Sequence, residues 1–176
     1  MTKTKMQTRM LSSAKTHEVE FHGKFLQRGF WLYAWEVATS KGRKRYYVGR
    51  TGDNPPCNAQ SPFNRMGQHL GFQENSNMLR RHLRDKHHVD PETCEFRLVA
   101  HGPILKEATT NEQHNQRRNV IAALEKALAD SMQAAGYDVM NVVRCRKALD
   151  ARLFAQVRRA FAAEFPKLRV MRARKT

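Results

Sequence analysis

Two aromatic, β-rich runs on either side of a short basic break constrain this chain more than any other feature. The runs "WLYAWEV" (residues 31–37) and "YYVGRT" (46–51) have strand composition, and "TSKGRKR" between them supplies a turn, so the segment reads as an antiparallel hairpin with a longer loop. The stretch "GDNPPCNAQSP" that follows carries Gly, three prolines, two Asn and an Asp and must be loop. Helix is expected to resume at "SPFNRMGQHL", with Ser61 as the cap, Pro62 in the first turn and Phe63, Met66 and Leu70 as the buried stripe. A short helix follows in "NSNMLRRHLRDK", with Asn77 as its cap and Met78, Leu79 and Leu83 inward. "CEFRLVA" alternates as a third strand.

The strongest helix is expected over about residues 111–135, with Ile121, Leu124, Leu128, Met132 and Ala135 as its stripe and Gly136 as its stop. A last amphipathic helix, "KALDARLFAQVRRAFAAEF", ends before Pro166. The expected class is therefore α+β, a small central antiparallel three-stranded sheet flanked by helices. One domain spans residues 29–145, with a basic N-terminal arm over 1–28 and a basic C-terminal helix and tail over 146–176.

Charge narrows the partner. Thirty-two Lys and Arg against sixteen Asp and Glu leave +16, a self-repulsion that a polyanion relieves. Each neutralised phosphate releases counterions, so nucleic acid is the expected ligand. An anionic membrane would need an amphipathic or apolar anchor, and none is found. From Arg144 onward there are eleven basic and two acidic residues, a candidate backbone-binding element. Cys57, Cys94 and Cys145 are odd in number and widely spaced, without a Cys-x-x-Cys pair. Reduced thiols in a cytoplasmic protein are the simplest reading. No secretory h-region is seen near residue 1.

Several polar residues could carry chemistry, each with an ordinary alternative. Tyr33 and Tyr47 fall on adjacent strands, where tyrosines collect for packing reasons alone. Tyr46 beside Tyr47 leaves open which of the two faces a cleft. Tyr33 shares strand parity with Trp31, Trp35 and Val37, so two indoles are expected on its face. Arg65 and His69 are four apart and share a helix face, expected to be polar and turned away from Phe63, Met66 and Leu70. That face is either simply solvated or offers a rigidly held guanidinium for charge on phosphate oxygens. Glu125 lies roughly 40 to 60° from the centre of the long helix's stripe at 100° per residue. A carboxylate at that border is costly unless paired, and Ala129 and Ile121 at the helical neighbour positions cannot pair with it. A metal ion or a distant Arg is the expected partner. Asn141 is ordinarily a turn residue, and its amide could also hold a phosphate or water.

Taken in order, these pieces resemble the GIY-YIG nuclease superfamily. The first signature appears as "WLY" (Trp31, Leu32, Tyr33), departing at Gly and Ile but keeping the Tyr. The second appears as "YVG" (Tyr47, Val48, Gly49), followed by "RT". The Arg-x-x-x-His pair is Arg65 and His69, the metal-binding Glu is Glu125, and the Asn is Asn141. The resemblance spans residues 31–143, and the long loop before Arg65 is similar to that of the superfamily's restriction enzymes.

The resemblance implies a divalent-metal-dependent DNA endonuclease, of restriction or defence type, that leaves a 5′ phosphate and a 3′ hydroxyl. Tyr33 would be the general base, with Tyr47 orienting or sharing that role. A phenol titrates near ~10 in water, so positive charge from Lys44, Arg45, Arg65 or the metal is expected to lower it. Arg65 would stabilise the transition state, its loss costing roughly 3 to 4 kcal/mol in activation free energy and little folded stability. His69 would hydrogen-bond the phosphate or assist the base. Glu125 would bind Mg2+ or Mn2+, and Asn141 would contact a phosphate. Lys44, Arg45 and Arg50 are candidate DNA contacts. Double-stranded DNA is the expected partner, cut by a homodimer on DNA or in two sequential events. The alternative is a catalytically weak or inactive member that only binds nucleic acid.

Overall fold

The computed structural model describes residues 15–53, 57–73 and 77–169. Its centre is a three-stranded antiparallel sheet of β1 (Phe30–Ala38), β2 (Lys44–Arg50) and β3 (Glu95–Leu105), in the order β2-β1-β3. The expected α+β class is found. β1 is the middle strand and is covered on both faces, which explains why it is apolar almost throughout; every side chain over residues 30–35 is at most 3% exposed.

Strand alternation divides the core in two. On one face Leu32, Ala34, Tyr46 and Val48 pack against α3 (Asn111–Ala134) and α4 (Ala151–Glu164). On the other, Tyr33, Trp35, Val37 and Tyr47 meet Leu79 and Leu83, with α1 (Pro62–Leu70) and α2 (Met78–Arg81) on that side. α2 continues into a π-helical turn, His82–Lys86. The expected α3 stripe is in place, since Ile121, Leu124, Leu128 and Met132 have no exposed surface. Thr110 Oγ1 caps α3 by accepting from Gln113 N, and Gly136 ends it at φ +84°.

Local expectations for three helices are corrected. Phe63 is 37% exposed while His69 is buried, so α1 presents its Arg65/His69 face to the sheet; a hydrogen-bonding partner there outweighs burial of one more ring. Asn77 makes no capping hydrogen bond, and Met78 is exposed although Leu79 and Leu83 are buried. α4 starts at Ala151, because Asp150 caps it by accepting from Leu153 N. The two indoles are separated along β1. Trp31 donates Nε1–H to Gln27 O at 3.1 Å, and Trp35 lies edge-on to Phe96. The first fourteen residues of the expected arm, and the tail from residue 170, lie outside the described residues.

The outer edge of β2 is closed by the segment after α3. Tyr46 N donates to Asp138 O and Met140 N to Tyr46 O, at 2.9 and 2.8 Å. Asn141 completes the closure: its Oδ1 accepts from Val48 N at 3.0 Å and its Nδ2 donates to Val48 O at 2.7 Å. Both halves of the amide are thus committed to the backbone N–H and C=O of one buried residue, and a phosphate-contacting role for Asn141 is corrected to that of an edge clamp. Asn141→Ala would leave a buried N–H and C=O without partners and is expected to destabilise the fold by about 2–4 kcal/mol. Urea unfolding measures this, and an unchanged midpoint would contradict the clamp.

Candidate active site

The β1–β2 register settles which tyrosines share a face. Trp35 pairs with Tyr47 and Tyr33 with Gly49, so Tyr33 and Tyr47 are diagonal neighbours on the α1 side. Tyr46 points the other way, edge-on to Tyr137 with ring centroids 4.8 Å apart. Gly49 is required by contact: a Cβ there would lie 2.4 Å from Tyr33 Cε2 and 2.6 Å from its Oη. The glycine of "YVG" therefore makes room for the phenol across from it.

α1 delivers the next two groups. Ser61 Oγ accepts from Asn64 N at 3.3 Å and Pro62 occupies the first turn, which fixes the helix start. One turn in, Arg65 and His69 face the tyrosines. Tyr33 Oη and His69 Nε2 are 2.6 Å apart. Arg65 Nε points at the same phenol oxygen from 3.5 Å, Nη2 donates to Asp53 Oδ2 at 2.9 Å and Nη1 to Gln68 Oε1 at 2.9 Å. The His69 ring also lies edge-on to Tyr47, whose other neighbour is His82.

Burial sets the protonation states. It pushes the Tyr33 phenol well above its ordinary value; Arg65 pulls the other way and Tyr47 adds to the rise. Tyr47 is likewise raised by burial. His69 is driven down to about 3 by burial, then by Arg65 and His82. At neutral pH Tyr33 is thus a donor and His69 a neutral acceptor, so the phenol O–H donates to Nε2. His69 Nδ1 is buried without a partner. The expectation of a Tyr33 phenol lowered by surrounding cations is corrected. Lys44 is paired with Glu36 at 2.5 Å, and Arg45 is buried and paired with Asp138 at 3.3 Å. Only Arg65 pulls the phenol down, and desolvation outweighs it.

Glu125 approaches from α3. Its Oε2 accepts from Arg50 Nε at 2.7 Å, with both side chains largely buried. Arg50 lies on the α3 face of β2, so the distant Arg foreseen for Glu125 is a residue expected to touch DNA. Burial raises Glu125 to about 7; Arg50 opposes the rise and the charge of Asp53 adds to it. Asp53 closes the group: one carboxylate oxygen holds Arg65 and the other, Oδ1, is buried without a partner among the described residues.

The end of β2 therefore gathers Tyr33, Tyr47, Arg65 and His69 in contact, with Glu125 within electrostatic reach. Asn141, Lys44 and Arg45 are engaged elsewhere. Sequence reasoning missed Asp53, which sits in a Gly-Asp-Asn string that reads as plain loop, and His82, whose inward position depends on the π-helical turn. Among the described residues no three His, Cys, Asp or Glu side chains converge as a metal cluster. No helix among them is long and apolar enough to cross a membrane. No protein-family model, no curated protein and no solved structure matches the chain.

Proposed function

We propose that the chain is a divalent-cation-dependent endonuclease that hydrolyses phosphodiester bonds in DNA, in the manner of the GIY-YIG nucleases that its sequence resembles. One observation carries the reading: a buried phenol hydrogen-bonded to a neutral imidazole, with a guanidinium aimed at the same oxygen. A purely structural tyrosine needs neither a low-pKa histidine as acceptor nor an arginine at its hydroxyl. The +16 charge supports a nucleic-acid substrate.

Tyr33 is too strongly held in its neutral form to act as a phenolate in the resting protein. It acts as a relay. As water attacks phosphorus, the water proton passes to Tyr33 Oη while the Tyr33 proton passes to His69 Nε2. An arriving phosphate brings negative charge beside Arg65 and offsets the share of His69's lowering that comes from Arg65, burial being the larger share, so substrate favours the relay. Arg65, held by Asp53 and Gln68, donates to oxygens on which charge develops.

The residues fit a hard divalent cation. Glu125 is left partly protonated near neutrality by burial and by Asp53, and Asp53 Oδ1 is buried and unsatisfied; a cation relieves both. Glu125 and Asp53 would hold it, with water and substrate oxygens as further ligands. When bound, Mg2+ or Mn2+ supplies charge stabilisation for the leaving 3′ oxygen. Cation binding requires ionised Glu125, whose pKa near 7 lies above its ordinary 4.5. Below pH 7 protons compete with the ion, so the Mg2+ concentration giving half-maximal cleavage should rise towards tenfold per pH unit. Glu125→Gln should abolish cleavage at every pH and Mg2+ concentration.

One observation favours a second reading, a nucleic-acid binder without hydrolysis: Arg50 already neutralises Glu125. Cleavage of labelled duplex in Mg2+, Mn2+ or chelator decides between the two. Metal-dependent cutting lost in Glu125→Gln supports the nuclease, and binding without cutting in either metal supports the binder.

A further inference from the structure

The solvent side of α1, opposite the face that carries Arg65 and His69, forms an open groove of about 580 Å³. It is lined by Gly67, by Phe72 and by Phe63, whose ring also meets Phe21 with centroids 5.1 Å apart, and Gln60, Asn64 and Gln68 contribute amides. Three features of this groove stand out among the described residues. Gly67 sits in mid-helix, where glycine is disfavoured relative to alanine, yet a Cβ there would meet nothing within 4 Å. No internal contact calls for glycine, whereas close approach of an external group does. Phe72 is 76% exposed, with the Arg80 guanidinium stacked 4.1 Å from its ring centroid. Gln60 Oε1 is buried and has no hydrogen-bond partner among the described residues.

The occupant must be flat enough to lie over Gly67 beside aromatic rings, and it must bring N–H donors for Gln60. It must also suit a lining that, among the described residues, holds no carboxylate. A nucleobase meets all of these: it stacks on aromatic rings and pairs its edge with Asn and Gln amides. An apolar peptide would leave the amides unsatisfied. Continuity with the candidate active site strengthens the assignment, because Gln68 lines the groove and accepts from Arg65 Nη1 at 2.9 Å. α1 is only about 10–12 Å across. A base in the groove and a phosphate at Arg65 can therefore belong to nearby nucleotides of one strand.

We propose that this groove is a nucleobase subsite that takes an unpaired base of the substrate strand close to the phosphodiester held by Arg65. The proposal rests on the nuclease reading for its substrate strand, but it is tested by binding alone. Fluorescence anisotropy in EDTA would compare a single-stranded 12-mer with an abasic 12-mer of the same backbone, on wild type and on Gly67→Leu. Wild type should prefer the base-bearing strand about tenfold or more. Gly67→Leu fills the groove from an unobstructed position and should abolish the preference while its melting temperature stays equal or rises. Phe72→Ala, which removes an exposed ring, should reduce the preference independently. Equal affinity of wild type for the two strands, or an undiminished preference in both variants, would overturn the subsite. Cleavage in Mg2+ without base preference would sink only the subsite, and base preference without cleavage would sink only the nuclease reading.

Discussion

Tyr33→Phe is expected to lower the single-turnover cleavage rate by about 10²–10⁴, the range for loss of positioned proton transfer. The substitution is narrow. The ring stays over Gly49 and within the buried cluster beside Trp35 and Tyr47, and only Oη is lost. Folded stability should fall by about 1 kcal/mol, since one buried hydrogen bond to His69 disappears. DNA affinity should be unchanged, because the phenol supplies no positive charge. If Tyr33 and His69 form one relay, Tyr33→Phe combined with His69→Asn should be little slower than the worse single variant. A loss below tenfold in Tyr33→Phe, or fully multiplicative losses in the double variant, would contradict the relay.

Arg65→Ala carries the second large effect, a loss of about 10²–10³ in rate from one transition-state donor. Its effect on the fold is larger than the sequence suggests. The guanidinium is mostly buried and holds Asp53 and Gln68, so its removal strands a partly buried carboxylate. About 1–2 kcal/mol of stability should go with it, discounted because Asp53 is one-third exposed. Arg65→Lys should keep DNA affinity but recover only part of the rate, since a point charge cannot address Tyr33, Asp53 and Gln68 at once. Binding to DNA should weaken only a few-fold, one contact among the many that a +16 chain can make. Single-turnover rates and salt-dependent affinities measured side by side separate the two roles. A variant that binds much more weakly yet cleaves normally at saturation would show Arg65 to be a docking residue.

The parts of the fold that sequence made legible are those fixed by local periodicity. The β1–β2 hairpin, the α3 stripe and the Ser61 and Gly136 boundaries follow from patterns within a few residues. Tyr33, Tyr47, Arg65 and His69 stand out in the sequence one by one, and the fold brings them into contact. What was not legible depended on partners far apart in the chain. α1 turns its polar side inward because a phenol 36 positions earlier offers His69 a hydrogen bond, which no helical wheel contains. Arg50 reads as a surface cation until α3 brings Glu125 to it from 75 positions away. Asn141 reads as a turn residue until β2 presents the edge N–H and C=O of Val48, 93 positions back.

The protonation states were hidden for the same reason. Charge near Tyr33 in the sequence suggested a lowered phenol, but the cations at residues 44 and 45 are occupied by Glu36 and Asp138. Burial then dominates, and the base has to be assembled from Tyr33 and His69 together. The Asp53 carboxylate, with one oxygen spent on Arg65 and one unsatisfied, was invisible as anything but loop.

The proposed activity of this buried constellation is hydrolysis of DNA with a divalent cation. Supercoiled plasmid incubated with purified protein in Mg2+ and in EDTA, followed by sequencing of the cut ends, tests it most directly. Nicked or linear product is expected only with the metal, with 5′ phosphate and 3′ hydroxyl termini, and none from Glu125→Gln. Plasmid that stays supercoiled in Mg2+ and in Mn2+ while bound tightly, or cutting that persists in EDTA or in Glu125→Gln, would contradict it.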